Sequence, residues 1–243
     1  MPNEGGDWIM RGMDFDDPRR IKTSKELIDY INMVGFLPLF ANGLPMFSVE
    51  DHVSPLFWWT GDPRQDPWEW REILARSGEV AYGKFFKGRA GFISREWYPV
   101  FANYRRDGYD FDSLWEDEKA SYREKKIMDV FLNEDELFSY MIKRKAGFGK
   151  DGEKNFEGII TDLQMKGYLI VKDFRRRKRL HDGVEYGWPI AVYTPSENLM
   201  GKDAIAEGYK EDPKDSFHRI VEKIHLEFPQ AAEQQIQDIM ENH

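Results

Sequence analysis

The feature that most restricts the fold of this chain is the pattern between Ser121 and Pro195. It presents three helical segments in succession, then two strands joined by one tight turn. The first segment runs from about 121 to 132 with Ile127, Val130 and Phe131 apolar, and Asn133 to Asp135 turns the chain. A second helix is expected to carry Leu137, Phe138, Met141 and Ile142, followed by a flexible turn at Gly147, Gly149 and Gly152. In the third, Phe156, Ile159, Ile160 and Leu163 repeat at i, i+3, i+4 and i+7, the spacing that gathers side chains on one helix face. Gly167 stops that helix, Tyr168 to Phe174 reads as a strand, Asp182-Gly183 as a turn, and Trp188 to Thr194 as the returning strand. Three helices followed by a hairpin is the order of a winged helix-turn-helix. The expected class is therefore α+β, with this module at 121–195 packed against an N-terminal helix and β-hairpin half.

Electrostatics divide the chain at the same place. The formal net charge is −9, but residues 121–195 carry 15 Lys and Arg against 12 Asp and Glu, leaving 20 against 32 elsewhere. The run Arg175-Arg176-Arg177-Lys178-Arg179 lies between the two strands of the expected wing. Five adjacent cations at a hairpin tip neutralise phosphates and give an affinity that falls with salt. Such contacts position a protein without reading base sequence. A solvated charged loop is the competing reading. On the third helix, Lys150, Lys154 and Asn155 are further candidates, Asn155 for adenine and Lys154 for phosphate, although Glu153, Glu157 and Asp162 on the same segment oppose close approach to DNA.

Residues 1–22 lack periodicity and read as a loosely attached arm with no signal-peptide-like apolar stretch. Residues 23–120 form an aromatic-rich helix and hairpin half. Its elements are a helix from Ser24 with Leu27, Ile28, Ile31 and Val34 apolar, a helix from Trp68 to about Ser77, and strands Val80 to Phe86 and Gly91 to Ser94 around Lys87-Gly88-Arg89-Ala90. A helix from Arg95 to Arg106, capped by Ser94, completes it, and 107–120 connects the halves. Residues 196–243 form a C-terminal helical extension, with Ile220, Val221, Ile224 and Leu226 on one amphipathic segment and Ile236 and Met240 on another. With no cysteine and no apolar run of membrane-spanning length, a cytoplasmic protein is expected, without disulfides or membrane contact.

The most unusual stretch is Trp58 to Arg71, where four tryptophans and two Asp-Pro pairs fall within fourteen residues. One reading has the tryptophans stacking on an extruded base, with Asp62, Asp66 or Glu69 as general base for water. Trp59, Trp68, Trp70 and Arg71 would then line the pocket. The plainer reading has Asp66 as a helix N-cap, Pro67 at the first helical position and the tryptophans filling a core. A pocket bordered by Trp59, Asp62, Asp66 and Trp70 beside the wing would separate the two. The five histidines (His52, His181, His218, His225, His243) have no metal spacing, no glycine-rich phosphate loop appears, and neither metal nor cofactor is expected.

These residues resemble the AlkZ-related family. The resemblance rests on Gly35-Phe36-Leu37-Pro38-Leu39, Gly61-Asp62-Pro63, Asp66-Pro67-Trp68, Trp70-Arg71 and Gly91-Phe92-Ile93-Ser94. It continues through Leu163-Gln164, Gly167-Tyr168 and Tyr186-Gly187-Trp188-Pro189. It implies kinship with AlkZ-type alkylpurine DNA glycosylases, winged-helix enzymes that remove alkylated bases, crosslink adducts included, with a Gln-x-Gln or Gln-x-Asp motif near the N-terminus. That motif is missing from the first half here; Gln235-Ile236-Gln237 matches its letters in the C-terminal helix and reads as surface. The leading expectation is a winged-helix protein that binds double-stranded DNA, linked to DNA repair. The alternatives are a base-excision enzyme using the 62–69 carboxylates, and a protein-interaction module with no nucleic-acid role.

Overall fold

Local signals account for most of the elements in the computed structural model, which describes residues 10–179 and 181–240. Helix α1 (Ser24–Val34) starts where the Thr23 hydroxyl accepts the Glu26 N–H, and it ends at Gly35, whose φ is 93°. Leu27, Ile28, Ile31 and Val34 are all buried, each contributing about 2 kcal/mol of apolar transfer. Strand β1 (Phe36–Pro38) and the one-turn helix α2 (Val49–His52) follow. Helix α3 (Pro67–Ser77) leads into β2 (Val80–Phe86) and β3 (Arg89–Ser94). The β2–β3 turn is shorter than expected. Lys87 and Gly88 alone make it, both at positive φ (50° and 73°), the conformation that two-residue hairpins require.

Helix α4 (Tyr98–Arg106) begins three residues later than the sequence suggests, because Ser94 closes a turn by accepting the Trp97 N–H and Pro99 then sets the first helical turn. Helix α5 (Phe111–Glu116), capped by Asp110, lies within the connector. Next come α6 (Tyr122–Asp129), closed by a Ser121–Glu124 capping box, and a short 3-10 turn over 130–133. Leu137 and Phe138, expected in a helix, form strand β4 (Leu137–Phe138) instead. Pairing with Tyr193 and Val192 satisfies their backbone, a long-range gain that outweighs local helix preference. Helices α7 (Ser139–Lys145) and α8 (Phe156–Met165) precede the long strands β5 (Leu169–Lys178) and β6 (Glu185–Pro195). Helices α9 (Ser196–Met200), α10 (Lys202–Gly208), α11 (Pro213–Glu227) and α12 (Glu233–Met240) complete the described chain.

The strands form one antiparallel sheet in the order β1-β3-β2-β5-β6-β4. It is continuous across the expected 120/121 boundary, joined where Tyr82 of β2 faces Val171 of β5. Gly91 permits the tight packing at β1–β3, since a Cβ there would lie 2.4 Å from the Phe86 ring and 2.8 Å from the Leu37 carbonyl oxygen. Arg106 locks the halves further. Its guanidinium donates to Glu197, Tyr209, Ser196 and the Gly167 carbonyl, and lies 4.4 Å from the centroid of the Tyr168 ring. Burial works against that charge while Glu197 and the surrounding hydroxyls hold it, so its pKa is raised overall.

Within the segment expected as a loose arm, residues 10–22 are held in place. The Met13 N–H donates to Val53, that of Ile21 to His52 and that of Arg11 to the Glu50 carboxylate, and Ile21 is buried. The rest of that arm, 1–9, lies outside the described residues. No helix among the described residues is long and apolar enough to cross a membrane.

Candidate nucleic-acid interface

Helix α3 is set by its cap. The Asp66 carboxylate accepts the N–H groups of Trp68 (2.8 Å), Gly61 (2.9 Å) and Trp59 (3.1 Å), so one buried side chain both starts the helix and closes the preceding loop. With the helix begun at Pro67, Trp70 and Leu74 fall on the inner face. Trp68, Glu72 and Arg76, spaced i, i+4, i+8, fall with Arg71 on the outer side. That outer stripe forms one wall of a groove of 1030 Å³. Phe138 and Tyr140, at the start of α7, contribute to a second wall, and Asp173 to Lys178 of β5 run along it with Glu185, Trp188 and Pro189 of β6.

The basic run is not a hairpin tip. Arg175 to Lys178 are strand residues of β5, and Arg179 follows directly. The strands extend further than the sequence suggests because Arg177 and Lys178 still pair with Tyr186 and Glu185. Several of these cations already have partners. Arg175 pairs with Asp173 (2.6 Å) and with Glu136, which also holds Lys172 (2.6 Å). Asp173 in turn accepts from Arg76 (2.9 Å), giving an alternating chain of charges from α3 across β5 to the 136 loop. Hydrogen bonding to Arg175 draws the Glu136 carboxyl below its ordinary value, against a smaller opposing effect of burial. Arg179 sits 3.1 Å from Asp182, Lys178 a loose 3.7 Å from Glu185, and Arg177 lies over the Tyr140 ring at 4.6 Å. The side chain of Arg176 enters no ion pair among the described residues.

On the α3 wall, the Arg71 guanidinium is sandwiched between the rings of Trp68 (3.7 Å) and Phe174 (4.4 Å). Its partner Glu72 is 3.2 Å away, half-buried, and burial pushes that carboxyl above its ordinary value. Among the described residues the groove thus collects six cations (Arg71, Arg76, Arg175, Arg176, Arg177, Lys178), four acids and five aromatic rings.

Of the carboxylates singled out in sequence, Glu69 lines the groove; Asp62 and Asp66 do not. Asp66 is saturated by three backbone donors. Asp62 is partly exposed, in a bidentate pair with Arg64 (2.7 and 2.9 Å), whose hydrogen bonds pull its pKa down to about 2. A carboxylate that acidic is a weak proton acceptor near neutrality. Among the pocket candidates, Trp68 and Arg71 line the groove, Trp70 is core at 1% exposure, and Trp59 lies on the surface away from it. The expected pocket bordered by Trp59, Asp62, Asp66 and Trp70 is not the one that opens beside β5 and β6.

Helix α8 contributes no lining residue to the groove among the described residues. Its Thr161 and Gln164 bond to Lys84 of β2. Lys154 donates to the carbonyls of Gly149 and Lys150, closing the turn before the helix. Asn155 occupies the left-handed region (φ 64°) at the helix start, and Lys150 is exposed. Glu157 and Asp162 remain exposed on α8. Gln235 donates to the Gly43 carbonyl and Gln237 to Glu233, so this Gln-x-Gln ties α12 to a loop and to itself. No group of three or more metal-binding side chains occurs among the described residues; His243 lies outside them.

Residues that sequence reasoning missed are Glu72, Arg76, Phe138, Tyr140, Asp173, Phe174 and Trp188. The α3 stripe was recoverable: once Pro67 starts the helix and Trp70 points inward, Trp68, Glu72 and Arg76 must share the opposite side. Phe138 and Tyr140 were hidden by the misplaced helix.

A family model described as AlkZ related matches residues 21–241. The chain belongs to that family. No curated protein and no solved structure matches it.

Proposed function

We propose that this member of the AlkZ-related family is a DNA-binding protein acting in the cytoplasm, with a winged-helix unit made of α6, β4, α7, α8 and the β5–β6 hairpin. Double-stranded DNA is held by the wing side of the groove. The observation that carries this reading is the convergence of six cations on one groove in a protein whose net charge is −9. The order helix, short strand, two helices, long hairpin, with β4 paired to β6, supports the winged-helix assignment. Exposed Glu157 and Asp162 on α8 argue against deep major-groove reading by that helix. Backbone contact through the wing is the favoured mode. Arg176, Arg177, Lys178 and Arg179 are its phosphate-facing residues, and Arg175 positions the strand through Glu136 and Asp173.

Anisotropy titrations on a short duplex between about 50 and 200 mM salt test it. Replacing Arg176, Arg177, Lys178 and Arg179 together with Ala is expected to weaken binding about tenfold or more and to flatten the salt slope. Unchanged affinity and slope would end the proposal. Absence of binding to any nucleic acid would favour a protein-docking wing, the reading supported by the ion pairs of Arg175, Lys178 and Arg179.

A second reading, hydrolysis of the N-glycosidic bond of a damaged base, is favoured by one observation. Glu69 and the half-buried Glu72, its pKa raised by burial, line the same groove as Trp68 and Trp188. Duplex carrying methylated purines is the substrate to try, with abasic-site detection as the readout. Activity abolished by Glu72→Gln is the expected signature, and no abasic sites across several lesions would exclude it.

A further inference from the structure

The wing reading accounts for the cations of the groove and leaves its aromatic rings without a task. A duplex buries the faces of its bases in its own stack and offers a protein phosphates, sugars and base edges. The rings of the groove therefore have nothing to stack on in a duplex. Their states differ. Trp68 and Phe174 are occupied by Arg71. Phe138 and Tyr140 stack on each other with centroids 5.4 Å apart, and Arg177 covers Tyr140. Trp188 alone among the five is almost bare, at 88% exposure, and no ring or cation packs on it among the described residues.

Its position is built into the strand. Arg175 pairs with Ile190 but Arg177 with Tyr186, so residues 187–189 bulge out of the ladder opposite Arg176. Gly187, at φ 76°, makes that bulge without strain. The bulge carries Trp188 out of the regular alternation of β6, into the lining of a groove edged by Arg176 and Lys178. A tryptophan left in water forfeits the largest apolar burial of any side chain, and tryptophan is enriched at surfaces that bind. The groove's 1030 Å³ is of small-ligand scale, about that of the largest such pockets. A few nucleotides fit inside it, whereas a double helix would rest against its wing edge.

We infer that this groove takes an unpaired stretch of nucleic-acid strand, with a base stacked on Trp188 and the adjoining phosphates on Arg176 and Lys178. This rests on the nucleic-acid reading above and specifies the form of the ligand. Alternating aromatic platforms and cations along one track are how proteins hold single strands without reading sequence. Glu69, Glu72 and Glu185 on the groove walls are acceptors for exocyclic amino groups of bases, the polar edges that unpairing releases.

The test measures binding of the full chain to ten-residue oligodeoxycytidine, to oligocytidine and to a blunt duplex, for the wild type and for Trp188→Ala and Trp188→Phe. Because Trp188 is exposed and outside the core, the variants retain the fold, and circular dichroism checks this. Expected are capture of a single strand, a loss of about fivefold or more for it in Trp188→Ala, recovery in Trp188→Phe, and duplex affinity changed by less than about twofold. A preference for either sugar names the strand. The inference is overturned if the single strands fail to bind or to displace the duplex, or if Trp188→Ala leaves single-strand affinity unchanged. An equal loss for duplex and single strand overturns it as well. The broader reading fails by a different result, an unaltered duplex affinity and salt slope in the fourfold Arg/Lys variant, so the two failures are separable.

Discussion

Two segments of this chain are conspicuous by residue type, the tryptophan and aspartate stretch at 58–71 and the basic strand with its return at 175–188. The first is anchored in the interior through Trp58, Asp66, Pro67 and Trp70, while Trp59 to Gly61 stay exposed. Trp58 and Trp70 are core, Asp66 spends its carboxylate on three backbone N–H groups, and only the Trp68–Arg71 side of the helix faces the groove. The second stays at the surface, with Arg176 in no ion pair among the described residues and Trp188 almost bare. Several of the chemically suggestive residues in the first segment, Asp66 and Trp70 foremost, serve stability, whereas the second carries the residues proposed to bind. The difference follows from what each side chain can exchange for water. A capping carboxylate and an indole have partners inside the protein, while clustered arginines exceed the acids near enough to pair with them.

If that contrast is correct, truncation in the two segments should act on different observables. Trp70→Ala should be the most damaging change, costing about 4 kcal/mol in urea unfolding, since it empties a core position. Asp66→Ala should cost about 3 kcal/mol, because a buried cap with three donors loses every one of them. An Asp66→Ala protein of unchanged stability would break the comparison. The fourfold Arg176, Arg177, Lys178 and Arg179 variant should leave stability within about 0.5 kcal/mol while losing about tenfold in duplex affinity. A cost above about 2 kcal/mol in that variant would move the basic strand into the same structural class as 58–71.

The smallest effect sharpens the boundary between the segments. Glu136 has its folded pKa drawn below the ordinary 4.5, first by hydrogen bonding to Arg175 and then by Lys172, with burial opposing. Its contribution is therefore complete above the unfolded value and is lost as pH falls through the lower folded one. Glu136→Gln should cost about 1 kcal/mol at neutral pH. The gap between wild type and variant should close in acid, below about pH 4, as followed by thermal unfolding. A gap that persists in acid would show that packing, and not the charge of Glu136, secures the base of the β5–β6 hairpin.

Much of the architecture was readable locally. The cap at Asp66, Pro67 at the first helical position, Gly35 as a breaker and the 3.6-residue repeat of α8 are each settled within a few residues. The basic run was legible as a surface feature, and Trp68, Arg71 and Glu69 as neighbours of a site. Three of the misreadings share one cause. Leu137 and Phe138 became a strand, Arg175 to Lys178 were drawn into the ladder, and residues 10–22 were tied down, because distant backbone offered them hydrogen bonds.

The amino-acid sequence by itself determined most of the elements and their order, and the concentration of cations beside an aromatic-rich half. Tertiary structure alone decided which of those residues share a groove. Tyr82 meets Val171, Arg76 reaches Asp173 and Glu136 reaches Arg175 across long stretches of chain. Helical and strand periodicities report which face of an element is apolar, but carry no information about which other element will cover it. That choice is made by the joint burial and pairing of the whole sheet, and it leaves Trp188 in water while sealing Trp70 away from it.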